Sequence, residues 1–389
     1  MTKTRREAMF LATSAAVCAG AAAAGPAEDD LASRLRVIAA RSVADGQTAG
    51  FALGVRRFGS PPAVFGLGVA DIEAATPVTP DTVFRIASCT KQFTAAAVVL
   101  LSERGALALD APLDRFFPGF PASPGGRVPT IEQLLTHTAG FHDYVLGGLP
   151  ADAGSDWRHD PERWRLMSRL TPLYDFEPGA LWGYSNSNYV LLGAIVEHVS
   201  GQSYGDFVTR NILLSHGLLS TAFDSYADAV PRRAVGYSLD GGAPKAFRKV
   251  ADGGLPVAEG GLRSTVGDML AWNQALFGGK VVSPAGVKRM TQAARTTDGA
   301  PVGSAHFTPK GMNPGKPPAF VQQADYGYGL EVARIFDTPV IWHSGGLPGF
   351  NSIVLHFPEK QVDVVLLTNT DNGAVGAFEP TLRAATGTA

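Results

Sequence analysis

The stretch Phe84-Arg85-Ile86-Ala87-Ser88-Cys89-Thr90-Lys91-Gln92-Phe93 sets a serine and a lysine three residues apart where an apolar helix begins. The run that follows, Ala95-Ala96-Ala97-Val98-Val99-Leu100-Leu101, predicts a buried helix closed by Gly105. Ser88 then lies in a first turn whose N–H groups lack intrahelical partners and carry the positive end of the helix dipole. Positions i and i+3 share a helix face, so the Lys91 amine reaches the Ser88 hydroxyl. If burial lowers the proton affinity of Lys91, it takes the Ser88 proton, and the Ser88 N–H stays available to an oxyanion. A Ser cap before a solvated Lys has the same letters. Against that reading, no other Ser in the chain has a Lys three residues later, and two further constellations follow downstream.

At 389 residues, with 45 Gly, 27 Pro and 45% hydrophobic content, the chain describes a loop-rich globular protein with an ample core. The net charge of −2, with no basic run beyond the extreme N-terminus, gives no footprint for nucleic acid or an anionic membrane. The expected partner is a small-molecule or peptide substrate. Residues 1–25 read as an export signal, with Lys3, Arg5 and Arg6 before an apolar stretch and Ala22-Ala23-Ala24 for cleavage. Arg5-Arg6 also permits twin-arginine export. Cys18 invites a lipoprotein reading, but Ala15-Ala16-Val17 before it fits that pattern poorly. The expected location is periplasmic or secreted, without stable membrane insertion once the signal is removed, since no later apolar run is long enough to span. Cys89 then remains as the sole cysteine and reads as a small buried apolar residue.

Along the chain, Glu28 to Ala44 predicts an amphipathic helix with Leu31, Leu35, Ile38 and Val43 on one face. Residues 50–55 and 63–70, separated by Gly59-Ser60-Pro61-Pro62, predict an antiparallel hairpin. From 106 to 299 helical stretches alternate with Pro/Gly loops, predicting a mainly α part that includes short capped helices after Thr130 and at Ser264–Trp272. Tyr144 to Tyr174 reads as a lid or a surface loop. Strand periodicity returns near Tyr326, with three or four strands expected: Tyr328–Val332, Val340–Gly346, Ser352–Leu355 and Val362–Leu367. His137 and His142 lack the H-E-x-x-H spacing of a metal site, so structural or loop roles are expected.

The second constellation is Tyr184-Ser185-Asn186, just before an apolar helix. A phenol near an ammonium has its anion stabilised, so Tyr184 beside Lys91 would relay the Ser88 proton. Asn186 has the acceptor and donors to hold both Lys91 and a substrate amide. The third is His343-Ser344-Gly345-Gly346, where the glycines let a strand backbone approach a ligand closely. The Gly346 N–H is the expected second oxyanion donor.

Ser88-x-x-Lys91, Tyr184-x-Asn186 and His343-x-Gly345, in this order, resemble the serine hydrolases related to class C β-lactamases, penicillin-binding proteins, D-aminopeptidases and esterases. Residues 134–140, 260–265 and 343–350 add supporting matches. The resemblance implies an α/β (α+β) fold: an antiparallel sheet flanked by helices, built from 26–105 and 300–389, with a mainly helical second domain at 106–299. It implies an acyl-enzyme on Ser88, proton transfer shared by Lys91 and Tyr184, and substrate contacts from Asn186, His343, Gly345 and Gly346. It also implies that neither metal nor cofactor is needed. Two departures stand out. Asn188 occupies a position that is usually Gly, and His343-Ser344-Gly345 replaces the Lys-Thr-Gly of class C β-lactamases. The expected activity is therefore exported hydrolysis of an ester or amide, including small esters and D-amino-acid peptides. A penicillin-binding, sensor or scaffold protein that acylates slowly or never turns over, and a genuine class C-like β-lactamase, are the other readings of these residues. A Ser-His-Asp hydrolase is disfavoured because the one G-x-S-x-G match, Gly201-Gln202-Ser203-Tyr204-Gly205, follows the end of an apolar helix and not a strand, as a nucleophile elbow requires.

Overall fold

The amphipathic helix forms over Glu28–Ala44 and buries Leu31, Leu35 and Ala39 against the sheet. The computed structural model that shows this describes residues 28–388 apart from 155, 225–229, 240–243, 248–256, 308–319, 372 and 374, so the expected signal at 1–25 lies outside the described residues. Four strands begin the chain: β1 (Gly50–Arg57), β2 (Ala63–Asp71), β3 (Thr76–Pro77) and β4 (Phe84–Arg85). Within the mainly helical part lie β5 (Ala222–Phe223), β6 (Gly236–Ser238), β7 (Lys245–Phe247) and β8 (Leu262–Ser264). The last five are β9 (Val321–Tyr326), β10 (Glu331–Ile335), β11 (Thr338–Leu347), β12 (Phe350–Phe357) and β13 (Val362–Thr368).

β3-β2-β1-β13-β12-β11-β10-β9 make one antiparallel sheet of eight strands, so the N-terminal hairpin joins the C-terminal strands through β1 and β13. Period-two alternation sorts the side chains by face. Phe51, Leu53, Val364 and Leu366 meet Leu31 and Leu35 of the first helix and Leu382 of a C-terminal helix, Val375–Thr386. Ala52, Val365 and Leu367 face the larger core, with Phe93, Val266 and Leu270. Because both faces are covered, all of β13 is buried.

Three features go beyond the sequence reading. β9, Val-Gln-Gln-Ala-Asp-Tyr, has no apolar period and was not expected, and the strand expected from Tyr328 begins at Glu331, after a Gly-containing turn. The Val266–Phe277 helix, capped by Thr265, packs on the main sheet through β1 and β13, and its Asp268 also accepts from the Ser220 N–H and the Thr221 hydroxyl of the helical part. A Cβ on Gly54 of β1 would sit 2.2 Å from Val266 Cγ1. The helix expected after Thr130 forms over Ile131–Leu135 with a full Thr130/Gln133 capping box.

Ser88 is positioned by two anchors. β4 pairs with β8, the Ile86 N–H donates to the Leu262 carbonyl at 3.0 Å, and the Leu262 N–H donates to Thr90 Oγ1 at 3.1 Å. On the other side lies β11. Its pairing with β10 ends at Trp342, while its pairing with β12 runs on to Leu347, so the edge of residues 343–347 is open toward the Ser88 turn. A Cβ on Gly345 would meet Ile86 O at 2.3 Å and Ala87 Cβ at 3.0 Å. The glycine expected to admit a ligand thus admits the backbone that carries the nucleophile.

Candidate active site

Ser88 lies in a 3-10 turn, Ala87–Thr90, that leads into the α-helix Lys91–Glu103. The serine therefore precedes the α-helix proper, one turn earlier than its sequence suggested. Ala87 has φ +47°, a conformation that L residues rarely adopt outside positions fixed by their surroundings. Ser88 is half-buried within this turn.

Lys91 is fully buried, and its Nζ has three acceptors: Ser88 Oγ at 3.1 Å, Asn186 Oδ1 at 2.8 Å and the Glu259 carbonyl at 2.6 Å. An ammonium has three donors, so this set is complete. The faces of Tyr184 and Tyr189 lie 4.9 and 5.4 Å from Nζ by ring centroid. Burial lowers the Lys91 pKa to about 8, although Glu259, Asp143 and Cys89 oppose it. Lys91 can therefore lose its proton close to neutral pH.

Tyr184 comes to the same place but in another state than expected. The sequence reading had Lys91 stabilising a phenolate, whereas Lys91 lies over the ring face. Burial holds the Tyr184 phenol well above its usual range, and contact with the Ser88 hydroxyl offsets only part of this. Tyr184 thus meets Ser88 as a neutral phenol, a proton donor. Asn186, at the start of the Asn186–Ser200 helix, accepts from Lys91 and donates to Asp143 Oδ2 at 2.9 Å.

The third constellation divides. Gly346 is exposed, and a Cβ there would find only Asn351 Nδ2, at 4.0 Å, so the strand is open at this point. His343 does not present a free nitrogen to a ligand. Its ring is 2% exposed, Nδ1 lies 2.5 Å from the Ser344 carbonyl and Nε2 lies 3.0 Å from Tyr326 Oη. A carbonyl only accepts, so Nδ1 carries the proton and Nε2 accepts from the phenol. Burial and the nearby Lys91 push its pKa down to about 3. The substrate contact expected of His343 is corrected to a buried neutral ring beneath Tyr184, 6.4 Å away by centroid.

Several residues were not singled out as part of the site by sequence. Glu259 gives its carbonyl to Lys91, and its carboxylate accepts from the Tyr144 hydroxyl at 2.9 Å and pairs with Arg158 across 3.5 Å. The expected lid thereby contacts the group that holds Lys91. His137, with φ +59°, lies under Tyr184 at 4.5 Å by ring centroid, and its Nδ1 accepts from the Ser185 N–H at 3.2 Å. The unusual Asn188 is fully buried, and its Nδ2 lies 3.0 Å from the same Nδ1. Where a glycine would leave space, this amide braces the ring under Tyr184. The structural role expected for His137 is thus found next to the site. His142 is held by Asp175 at 2.9 Å, also as a structural contact. The Cys89 thiol is fully buried and raised to about 12 by burial.

The Beta-lactamase family matches residues 35–388, and the chain belongs to that family. The D-aminopeptidase of Gluconobacter oxydans is 27% identical over 83% of this chain and 56% of its own length. Esterase EstB of Burkholderia gladioli is 40% identical over 50% of this chain and 50% of its own. This chain thus spans about half the length of each of these relatives. Among solved structures, the D-amino acid amidase of Ochrobactrum anthropi SV3 in complex with L-phenylalanine superposes with a TM-score of 0.74 at 25% identity, covering 92% of this chain and 99% of that one. The antiparallel sheet with flanking helices is the fold of these neighbours.

Proposed function

We propose that this protein is an exported serine hydrolase that cleaves an ester or amide through an acyl-Ser88 intermediate. The observation that carries the reading is the buried Lys91 amine 3.1 Å from Ser88 Oγ, with a pKa of about 8. In its neutral form the amine accepts the Ser88 proton as Oγ attacks the substrate carbonyl. The N–H groups of Ser88 and Gly346 receive the oxyanion, and the neutral Tyr184 phenol passes a proton to the leaving group as Lys91 resupplies it. Water then attacks the acyl-enzyme, with the same groups reversing their roles.

Position 343 bears on the substrate class through what it lacks, since the buried His343 ring makes no ligand contact of its own. With no permanent cation at that position, carboxylate recognition of the β-lactam type loses its charge-assisted part. Small neutral esters and D-amino-acid amides or peptides fit better, in keeping with the esterase, D-aminopeptidase and D-amino acid amidase among the relatives. No helix among the described residues is long and apolar enough to cross a membrane, and export rests on residues 1–25. The test is a panel of p-nitrophenyl esters, D-amino-acid amides and a chromogenic cephalosporin, together with a fluorophosphonate probe mapped by mass spectrometry. An adduct on any other serine, or no turnover across the panel, overturns the proposal. Cell fractionation and N-terminal sequencing of the mature chain test export.

A further inference from the structure

We propose that Asp143 is a positioning residue of the acylation machinery, fixing the Asn186 amide so that its oxygen, and not its NH2 group, faces Lys91. The inference rests on the Ser88 and Lys91 roles just proposed. Asp143 is 7% exposed and uses its two oxygens separately. Oδ1 caps the Tyr144–Gly147 helix by accepting from the Val145 N–H at 3.0 Å, and Oδ2 accepts from Asn186 Nδ2 at 2.9 Å. Its backbone is tied to the Asn186 helix as well. The Tyr144 N–H donates to Ser187 Oγ at 3.0 Å, and Ser187 Oγ donates to the His142 carbonyl at 2.7 Å.

An amide side chain has two ends of nearly equal shape and opposite hydrogen-bonding sense. Asn186 lies between a carboxylate, which only accepts, and an ammonium, which only donates. One orientation satisfies both neighbours, and the flipped one sets oxygen against oxygen and NH2 against ammonium. Asp143 therefore selects the orientation in which Oδ1 receives Lys91 at 2.8 Å. Without that acceptor Lys91 keeps only Glu259 and Ser88 as partners, and the amine is free to swing off the nucleophile. The bonds Asp143 to Asn186, Asn186 to Lys91 and Lys91 to Ser88 form one continuous line.

The carboxylate has a second, separable effect. Its charge supports the protonated form of Lys91, after Glu259 in size. The other groups facing Lys91 are the Cys89 thiol, the His137 and His343 rings, and the faces of Tyr184 and Tyr189. Removing the Asp143 charge therefore moves Lys91 deprotonation toward lower pH, while removing its contact with Asn186 lowers the acylation rate itself.

Asp143→Asn keeps a capping oxygen and deletes the charge. Asp143→Ser keeps the cap and is too short to reach Asn186. Stopped-flow acylation by p-nitrophenyl acetate is measured against pH for the wild type, both variants, Asn186→Ala and the Asp143→Ser/Asn186→Ala double variant, with thermal melts alongside. In both Asp143 variants the acid limb is expected to move down by about half a pH unit or more. Asp143→Ser slows the plateau about ten- to a hundredfold. The double variant is no slower than Asn186→Ala, because Asp143 acts through Asn186. An unmoved limb, or effects that multiply, overturns the inference. If the serine variant melts early, the Asp143→Asn limb and its cycle with Asn186→Ala decide. A wild type without a Ser88 adduct fails the functional reading instead, whereas a wild type with the adduct and with unaffected Asp143 variants fails only this one.

Discussion

Shifting the pH across the Lys91 titration is the most direct perturbation of the site. A lysine of ordinary pKa, 10.5, is neutral in only about one molecule in 3,000 at pH 7. At about 8 the neutral fraction is roughly one in ten, a gain on the order of 300-fold from burial. The acylation rate should therefore fall about tenfold per pH unit below 8 and level off above it. Neither histidine of the site competes for this limb, because His343 is pushed down to about 3 and His137 well below its usual range. Tyr184 is displaced upward and stays a phenol as the limb is crossed. The assay is stopped-flow release of p-nitrophenol under single-turnover conditions from pH 5.5 to 9.5, with circular dichroism at each pH. A flat profile, or a midpoint near 6.5 that a His343→Gln variant removes, would refute the assignment of Lys91 as the base. Tyr184→Phe should lower the plateau and leave the acid limb in place.

Ser88→Ala should abolish both turnover and fluorophosphonate labelling while the melting curve is kept; labelling that persists on the variant places the nucleophile elsewhere. Lys91→Ala and Tyr184→Phe should each slow acylation by about two to four orders of magnitude. Their double variant should be little worse than the worse single, because groups that move one proton are non-additive. Stopped-flow rates that simply multiply would separate their roles. The wild type should turn over a neutral p-nitrophenyl ester with higher kcat/KM than a chromogenic cephalosporin at pH 7.5, and the reverse order would show that the lack of a cation at His343 does not set preference. His343→Lys should lower the melting temperature, because it buries an ammonium beside Lys91; a variant as stable as wild type would show that this slot tolerates charge. Cys89, buried with its thiol raised to about 12, should resist an aromatic disulfide reagent in the native state and react once the chain is unfolded.

What the sequence made legible is what periodicity and local spacing encode. Leu31 and Leu35 lie one helical turn apart and are buried together, and the stretches 50–55 and 362–367, expected as strands, fall within β1 and β13. β9 was illegible because four of its six residues are polar or small and it lies at the sheet edge, where one side needs no apolar partner. The Val266–Phe277 helix was seen as a helix, but its place on the sheet depends on contacts with Gly54, more than 200 positions away in the chain.

The site divides along the same line. Ser88 and Lys91 were legible because one helical turn brings them together, whereas the partners that set the behaviour of Lys91 come from segments far apart in the chain. The Glu259 carbonyl has no sequence signal at all, since every residue has one, and no spacing reveals that this one faces Lys91. Asp143 was not singled out, although it follows the supporting match at residues 134–140 closely. His343 shows the converse error: its type was read correctly and its orientation was not. A neutral imidazole fits the absence of a cation, but the Ser344 carbonyl and the Tyr326 hydroxyl engage both of its nitrogens, so it acts through what lies above it. The rings of His343 and His137 lie beneath Tyr184, and His137 is itself braced by Asn188. The two departures from the family pattern, at 188 and 343, thus converge on one side chain. A neutral substitution at either position should therefore be felt first in the plateau rate that Tyr184 sets, while the acid limb that reports Lys91 stays within a few tenths of a pH unit of its wild-type position.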